Sequence, residues 1–513
     1  MNLKGMKLIT HNAQFEHKWF IKNNIQADIV HDTKLLAHLF DERLPLGLED
    51  LCLYFGIDKS YKCGDEIVNL TGKELYDRNT RDAYNTFKLF QILYPKLSSQ
   101  EKEVYHKVLI PATKSIAKLE LAGMKVDLKV LEATRKQIED KTSDIRLQED
   151  EHITEFNAAS QKVFNINSSL HKKLLIYDVL GYPIIQRSKR TGEPTTQADI
   201  LEALQLIKHK QEKHGESIEN CSKCKKLTLS KIINTSKYTG WIENFLNPIQ
   251  NALVGDMIYT NLWLGETSTG RLKSSKPNLQ NCVKNFPRQI FISRYPEGVL
   301  SEFDYSGIEY RLMASLAKDA IAISAIKSGD PHIDTARLIF NKKEISKEER
   351  DIGKTFNYGL IYGAGAYRLS ILTGLHRQEI SKMLSRYWGQ HNCIQTYFHD
   401  WIDNDLIYSP TGMKRHWTKE TEAKNFPIQN SAFILMLQGL NRAVEFVEKT
   451  GQGVTCLTVH DSIVIDWKSE KAALKYSPEI KGLMCQHEWD WIKTDINADV
   501  KIGKDWYNMV EMK

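Results

Sequence analysis

The sequence predicts a multidomain α/β protein, and three observations lead there. A chain of 513 residues exceeds what one hydrophobic core accommodates, so roughly three or four domains of about 100–200 residues each are expected. Beyond residue 262, β-branched runs such as Ile463-Val464-Ile465 alternate with turn residues and helical patterns. Residues 101–240 instead read as long, highly charged helices.

Bulk properties set limits. There are 70 basic and 64 acidic residues, a formal charge of +6, which permits a polyanionic partner without requiring one. No run of about 18 apolar residues occurs, and the start Met1-Asn2-Leu3-Lys4-Gly5 lacks the apolar stretch of a signal peptide, so neither a membrane partner nor secretion is expected. The eight cysteines are scattered apart from one close pair, which fits a reducing, intracellular compartment.

Along the chain, residues 1–98 open on the apolar strand Met6–Thr10 and continue with Leu- and Phe-rich helical patterns such as Lys34–Phe40, part of an α/β domain. The region after 101 places Asp127 as a helix N-cap, with Leu131, Ile138 and Ile145 at heptad spacing. The loop Gln186–Gly192 and the lysines at 208, 210, 213, 223, 225 and 226 are candidate phosphate contacts. His209, His214, Cys221 and Cys224 form a candidate Zn²⁺ knuckle, because two residues separate the cysteines; an incidental grouping is the competing reading.

Two acids stand out. Asp304 lies in Phe303-Asp304-Tyr305-Ser306-Gly307 and Asp461 in Val459-His460-Asp461-Ser462, each at a break in an apolar strand. Brought together, such carboxylates could hold two Mg²⁺ ions about 3.5–4 Å apart, the arrangement that clamps the attacking and leaving oxygens of phosphoryl transfer. Between them, Ser346–Gly365 reads as one helix in which Arg350, Lys354, Tyr358 and Tyr362 recur every four residues. Cations at one end and aromatic rings at the other suit a nucleoside triphosphate, which is comparable in length to the roughly 18 Å those steps span. The loop Ser268–Asn281 is polar and punctuated by Gly270 and Pro277, a composition that places side chains rather than fills a core.

Taken in order, the Ser268–Asn281 loop, the Asp304 run, the Arg350-to-Tyr362 helix, Asn425–Gln429 and Val459-His460-Asp461 resemble family A DNA polymerases over residues 101–513. The resemblance implies a right hand of palm, fingers and thumb, preceded by a partial ribonuclease H-like 3′–5′ exonuclease domain. It gives the exonuclease-like part as 1–98, thumb and start of palm as 101–261, palm as 262–315 and 425–513, and fingers as 316–424. It implies template-directed addition of deoxynucleoside triphosphates to primer-template DNA in the cytoplasm of a bacterial or phage-infected cell.

In that resemblance Asp304, Asp461 and the backbone carbonyl of Tyr305 bind two Mg²⁺ ions, and Lys354 neutralises the leaving phosphates. Arg350, His332 and Arg288 hold the triphosphate tail; Glu309 and Tyr362 exclude a 2′ hydroxyl; Tyr358 favours acceptance of dideoxynucleotides. Arg271, Asn425, Gln429 and His460 contact DNA, the first three as minor-groove readers.

There are departures. Ser462 stands where the family usually has Glu, Gly307 where many members have Gln, and Thr421 where Arg is frequent. The alternatives are a single-subunit RNA polymerase-like enzyme, against which Glu309 argues, and a catalytically silent DNA-binding subunit. In the first 98 residues, His11–Glu16 resembles the second exonuclease motif with Glu16 for Asp, and Asp82 resembles the third, while the first motif is missing. Either the exonuclease is a decayed scaffold or a separate polypeptide completes it; the second reading is favoured, because a missing strand leaves an open sheet edge.

Overall fold

The computed structural model describes residues 3–57, 71–188, 190–206, 225–267, 269–399, 405–417 and 419–512. Two compact units result: residues 1–126, 252–329 and 391–513 form one, and residues 127–251 and 330–390 form the other. Among the described residues no helix is long and apolar enough to cross a membrane.

The first unit is built on a five-stranded antiparallel sheet ordered Gly453–Val459, Ser462–Trp467, Val299–Tyr305, Ala498–Gly503, Met509–Glu511. The central strand alternates. Phe303 and Tyr305 point into a core shared with the helices Glu420–Thr450 and Glu470–Cys485, where the Tyr305 hydroxyl donates to the Met484 carbonyl at 2.6 Å. Glu302 and Asp304 therefore take the other face, since successive strand residues point to opposite sides.

Arg294 anchors this sheet. Its guanidinium donates to Asp466 at 2.8 Å and to the carbonyls of Ala122 and Gly123 at 3.0 and 2.7 Å. A second anchor is Asn430, fully buried in the helix Glu420–Thr450. Its Oδ1 accepts from the hydroxyls of Ser409 and Thr411, and its Nδ2 donates to the Thr269 carbonyl. The loop carrying Arg271 is thereby tied to the helix carrying Asn425 and Gln429. Pro427 lies between those two and removes one helical N–H.

The amino-terminal part of this unit holds a parallel pair of strands, Lys7–Thr10 with Asp28–Asp32, and the helices Ala13–Lys22, Thr33–Phe40, Leu48–Tyr54 and Gly72–Leu93. Among the described residues Lys7–Thr10 pairs along one edge only.

In the second unit, Asp127 caps the helix Leu128–Asp144 as expected, accepting from the N–H groups of Lys129 and Val130. Leu131 and Ile138 are buried, while Ile145 ends that helix as its C-cap. A separate core gathers Ile153, Phe156, Leu175 and Ile232. The helix expected over 346–365 spans Lys347–Ile361, opened by a capping box of Ser346 with Glu349. It stops early because Gly363 adopts φ 72°, a left-handed conformation open to glycine, and its N–H returns to the Leu360 carbonyl. His209, His214, Cys221 and Cys224 lie outside the described residues, as do the lysines at 208, 210, 213 and 223.

Asn430→Ala should lower unfolding free energy by about 1–3 kcal/mol, since it leaves two buried hydroxyls and a carbonyl without their partner; urea denaturation of the variant measures it.

Candidate active site

The Gly453–Val459 and Ser462–Trp467 strands form a tight hairpin. Val459 pairs with Ser462, leaving His460 and Asp461 as the two turn residues, with His460 at φ 55°. The Ser462 hydroxyl donates to the Val459 carbonyl at 3.0 Å, and Thr458 Oγ1 donates to the Ser462 carbonyl at 2.8 Å. Ser462, the residue in place of the expected Glu, is thus a buried clip for the turn.

This hairpin end meets the end of the central strand. Ser462 pairs with Asp304, and the Tyr305 N–H donates to the Asp461 carbonyl at 3.3 Å. A strand residue's N–H and C=O point the same way, so the Tyr305 carbonyl is also directed toward Asp461. Asp304 and Asp461, 157 positions apart in sequence, share one end of the sheet. Burial raises the Asp304 pKa to about 6, and the neighbouring charge of Asp461 adds to the rise, against the opposing pull of Lys284 and Lys501. Two carboxylates and a carbonyl are hard oxygen donors that suit Mg²⁺. The repulsion that raises Asp304 is the penalty a divalent cation would remove.

Around the pair, His460 has its pKa lowered by burial and by Arg271, with Asp461 pulling the other way. Arg271 donates to the Glu309 carboxylate, an ion pair with Glu309 largely buried in the first turn of Ile308–Leu316. The expected minor-groove reader and the expected sugar gate therefore touch. Asn425 Oδ1 is buried with no hydrogen-bond partner, and Gln429, one turn on, is also buried.

Arg288 departs from expectation. It is 5% exposed, lies 3.4 Å from Glu302 Oε1 and stacks 4.0 Å from the Trp506 ring centroid. Its Nε and Nη2 are buried without a hydrogen-bond partner, so the guanidinium is enclosed but only partly engaged.

Sequence reasoning also missed residues here. Lys284 acts electrostatically on both Asp304 and His460, and Asp499 stands opposite Asp304 on the Ala498–Gly503 strand. Register across a ladder leaves no local signal.

The second unit presents the other expected face. Arg350, Lys354 and Tyr358 lie along Lys347–Ile361 on its unburied side, and Tyr362 is its C-cap, 42% exposed. Arg350 Nε donates at 2.6 Å to Asp330, which caps the helix Pro331–Phe340 and has its pKa lowered mainly through hydrogen bonds to Arg350 and to the His332 N–H, against burial. His332 opens that helix beside Tyr358, with ring centroids 5.7 Å apart. The helices approach so closely that a Cβ on Gly353 would stand 2.3 Å from the His332 carbonyl.

In the amino-terminal part, His11 bonds Thr33 and the Leu46 carbonyl, and Asp32 accepts from the N–H groups of Asn12, Ala13 and Lys34. Burial and Asp32 raise the Glu16 pKa. Among the described residues, the one group of three metal-ligating side chains is Asp41, Glu42 and His416. Arg43 already grips both Asp41 oxygens at 2.9 and 2.7 Å and holds its pKa down to about 2.

The first unit thus carries paired acids at one sheet end, and the second a capped helix of cations and tyrosines. The model of DNA polymerase family A matches residues 129–508, and the chain belongs to that family. It is 28% identical to a thermostable DNA polymerase I of Thermus thermophilus over 95% of this chain and 58% of the relative. It is 27% identical to DNA polymerase I of Borreliella burgdorferi over 98% of this chain and 55% of the relative. The chain thus spans a little over half the length of these curated relatives. The fold is similar to the POL domain of Pol1 from M. smegmatis, solved in complex with DNA primer-template and dNTP. The TM-score is 0.80 at 22% identity, covering 97% of this chain and 86% of that one.

The folded-state pKa of Asp304, about 6, stands above the unfolded value of about 3.9. The metal-free protein therefore loses stability as pH rises from about 4 through 6, because the charged form is disfavoured where it is folded. Asp304→Asn should be more stable than wild type at pH 8 in EDTA, by on the order of 1–2 kcal/mol after allowing for partial solvent access. That advantage should shrink toward zero near pH 4, as read from paired denaturation curves.

Proposed function

We propose that this chain is a template-directed DNA polymerase that extends a primer 3′ end with deoxynucleotides, using the palm, fingers and thumb boundaries given by its sequence. The observation that carries the reading is the gathering of Asp304 and Asp461 at one sheet end in a member of DNA polymerase family A. The carboxylates of Asp304 and Asp461, with the Tyr305 carbonyl, would hold two Mg²⁺ ions. Bound there, the ions supply Lewis-acid stabilisation to the attacking and leaving oxygens.

The chain's own groups do the rest. Arg350 and Lys354 bind triphosphate oxygens as cations, and Lys354 can pass a proton to the departing pyrophosphate. His332 adds a hydrogen-bond donor. Tyr358 and Tyr362 offer ring faces to base and sugar, and Glu309 bounds the sugar. Arg271, Asn425, Gln429 and His460 meet the DNA; minor-groove acceptors are similar for every correct pair, so such contacts follow geometry rather than sequence. Zinc forms no part of this reading.

A second polypeptide that completes the exonuclease-like part is supported by the one-sided pairing of Lys7–Thr10 and by Phe15 and Trp19, 58% and 47% exposed on the adjoining helix. This chain alone would then leave a primer unshortened when nucleotides are withheld; degradation by the pure chain refutes that reading.

Primer extension with Mg²⁺ should be robust for wild type and fall by at least about a thousandfold in Asp304→Asn and Asp461→Asn; full-speed synthesis by either variant overturns the assignment. Glu309→Ala should raise ribonucleotide incorporation relative to deoxynucleotide by about tenfold or more, because the 2′ hydroxyl gains room. It should also free Arg271, so competition assays are best accompanied by Arg271→Ala, which leaves the sugar boundary in place.

A further inference from the structure

His332 and the helix beside it form a connected buried arrangement that the functional reading leaves unused. Asn357 is fully buried on Lys347–Ile361, and Thr335, one turn after His332, is 3% exposed. The Thr335 hydroxyl donates to Asn357 Oδ1 at 2.9 Å. The amide nitrogen then faces His332, with Nδ2 at 3.0 Å from the ring Nδ1. An amide NH₂ only donates, so in this arrangement the ring nitrogen it meets is the one without hydrogen. Hydrogen on Nδ1 would require the amide to turn, with Oδ1 accepting from the ring and Nδ2 donating to the Thr335 hydroxyl.

The approach that permits this contact is set by Gly353, where any larger residue would drive the two helices apart. Charged groups converge on the ring from both helices: Asp330 from the cap of its own helix, and Arg350, Lys354 and Asp351 from the neighbouring one. Burial, helped by the two cations, lowers the His332 pKa to about 4, although Asp330 and Asp351 pull upward. An imidazolium here would have Arg350 and Lys354 as like-charged neighbours, whereas a neutral ring can still donate one hydrogen bond.

We infer that Asn357, supported by Thr335, is a positioning residue that holds His332 as the neutral tautomer with its hydrogen on Nε2, presenting one N–H donor to the phosphate oxygens bound by Arg350 and Lys354. The phosphate half of this inference rests on the polymerase reading; the tautomer half does not. The two cations supply charge, and His332 supplies direction.

The test uses the full chain with ¹⁵N-labelled histidine, the His332 ring signals being assigned by their loss in His332→Gln. At pH 7 the wild-type ring should show a protonated Nε2 and a bare Nδ1. Asn357→Asp replaces the donor with an acceptor, so it should move hydrogen onto Nδ1 and bring the ring into titration between about pH 5 and 8. In the same variant KM for the incoming deoxynucleotide should rise about tenfold, the equivalent of one lost hydrogen bond, with a smaller change in kcat. Thr335→Val should shift both readouts in the same direction and less far.

A wild-type ring carrying hydrogen on Nδ1 overturns the inference. So does an Asn357→Asp protein that melts earlier with the tautomer unchanged, or one whose tautomer changes with KM unmoved. If wild type fails to extend a primer, the polymerase reading falls, while the ring spectrum still decides the tautomer.

Discussion

Two carboxylates that repel each other are held at one sheet end by backbone geometry, and the chemistry depends on that constraint. Their separation in sequence means that neither position is fixed locally. The hairpin sets Asp461, the central strand sets Asp304, and the Tyr305 N–H to Asp461 carbonyl bond joins them. Everything behind the pair stiffens it: Tyr305 is tied to Met484, and Arg294 fastens the Ser462–Trp467 strand to Ala122 and Gly123. A buried carboxylate beside another is unfavourable. Its persistence is therefore better explained by something that binds there than by stability.

The second unit solves a different problem. Cations that recur along one helix face repel one another and lack direction unless something orients them. Asp330 orients Arg350 while capping the next helix, so one carboxylate fixes both a helix start and a guanidinium. Lys354 stays exposed. The arrangement keeps charge available at the surface, with the half-buried Asp330 orienting it.

Much of this was legible in the sequence. Asp304 and Asp461 interrupt apolar runs, Ser346 and Asp127 announce helix starts, and the four-residue recurrence of Arg350, Lys354 and Tyr358 marks one face. What was not legible depends on distant partners. That Trp506 and Glu302 enclose Arg288 has no signal in the sequence around it. Asn430 reads as one more polar residue in a helix, though it joins segments 19 to 161 positions away. The helix through Tyr358 was drawn too long because Gly363 and Gly365 could equally have been tolerated in its last turn. The grouping of residues 127–251 with 330–390 follows from contacts that no stretch of sequence displays.

The serine clip limits what position 462 can hold. Restoring the family's usual acid at position 462 would remove the hydroxyl that fastens the turn and would introduce a third negative group into an enclosed corner already strained by two. A single exchange would thus be disfavoured twice over.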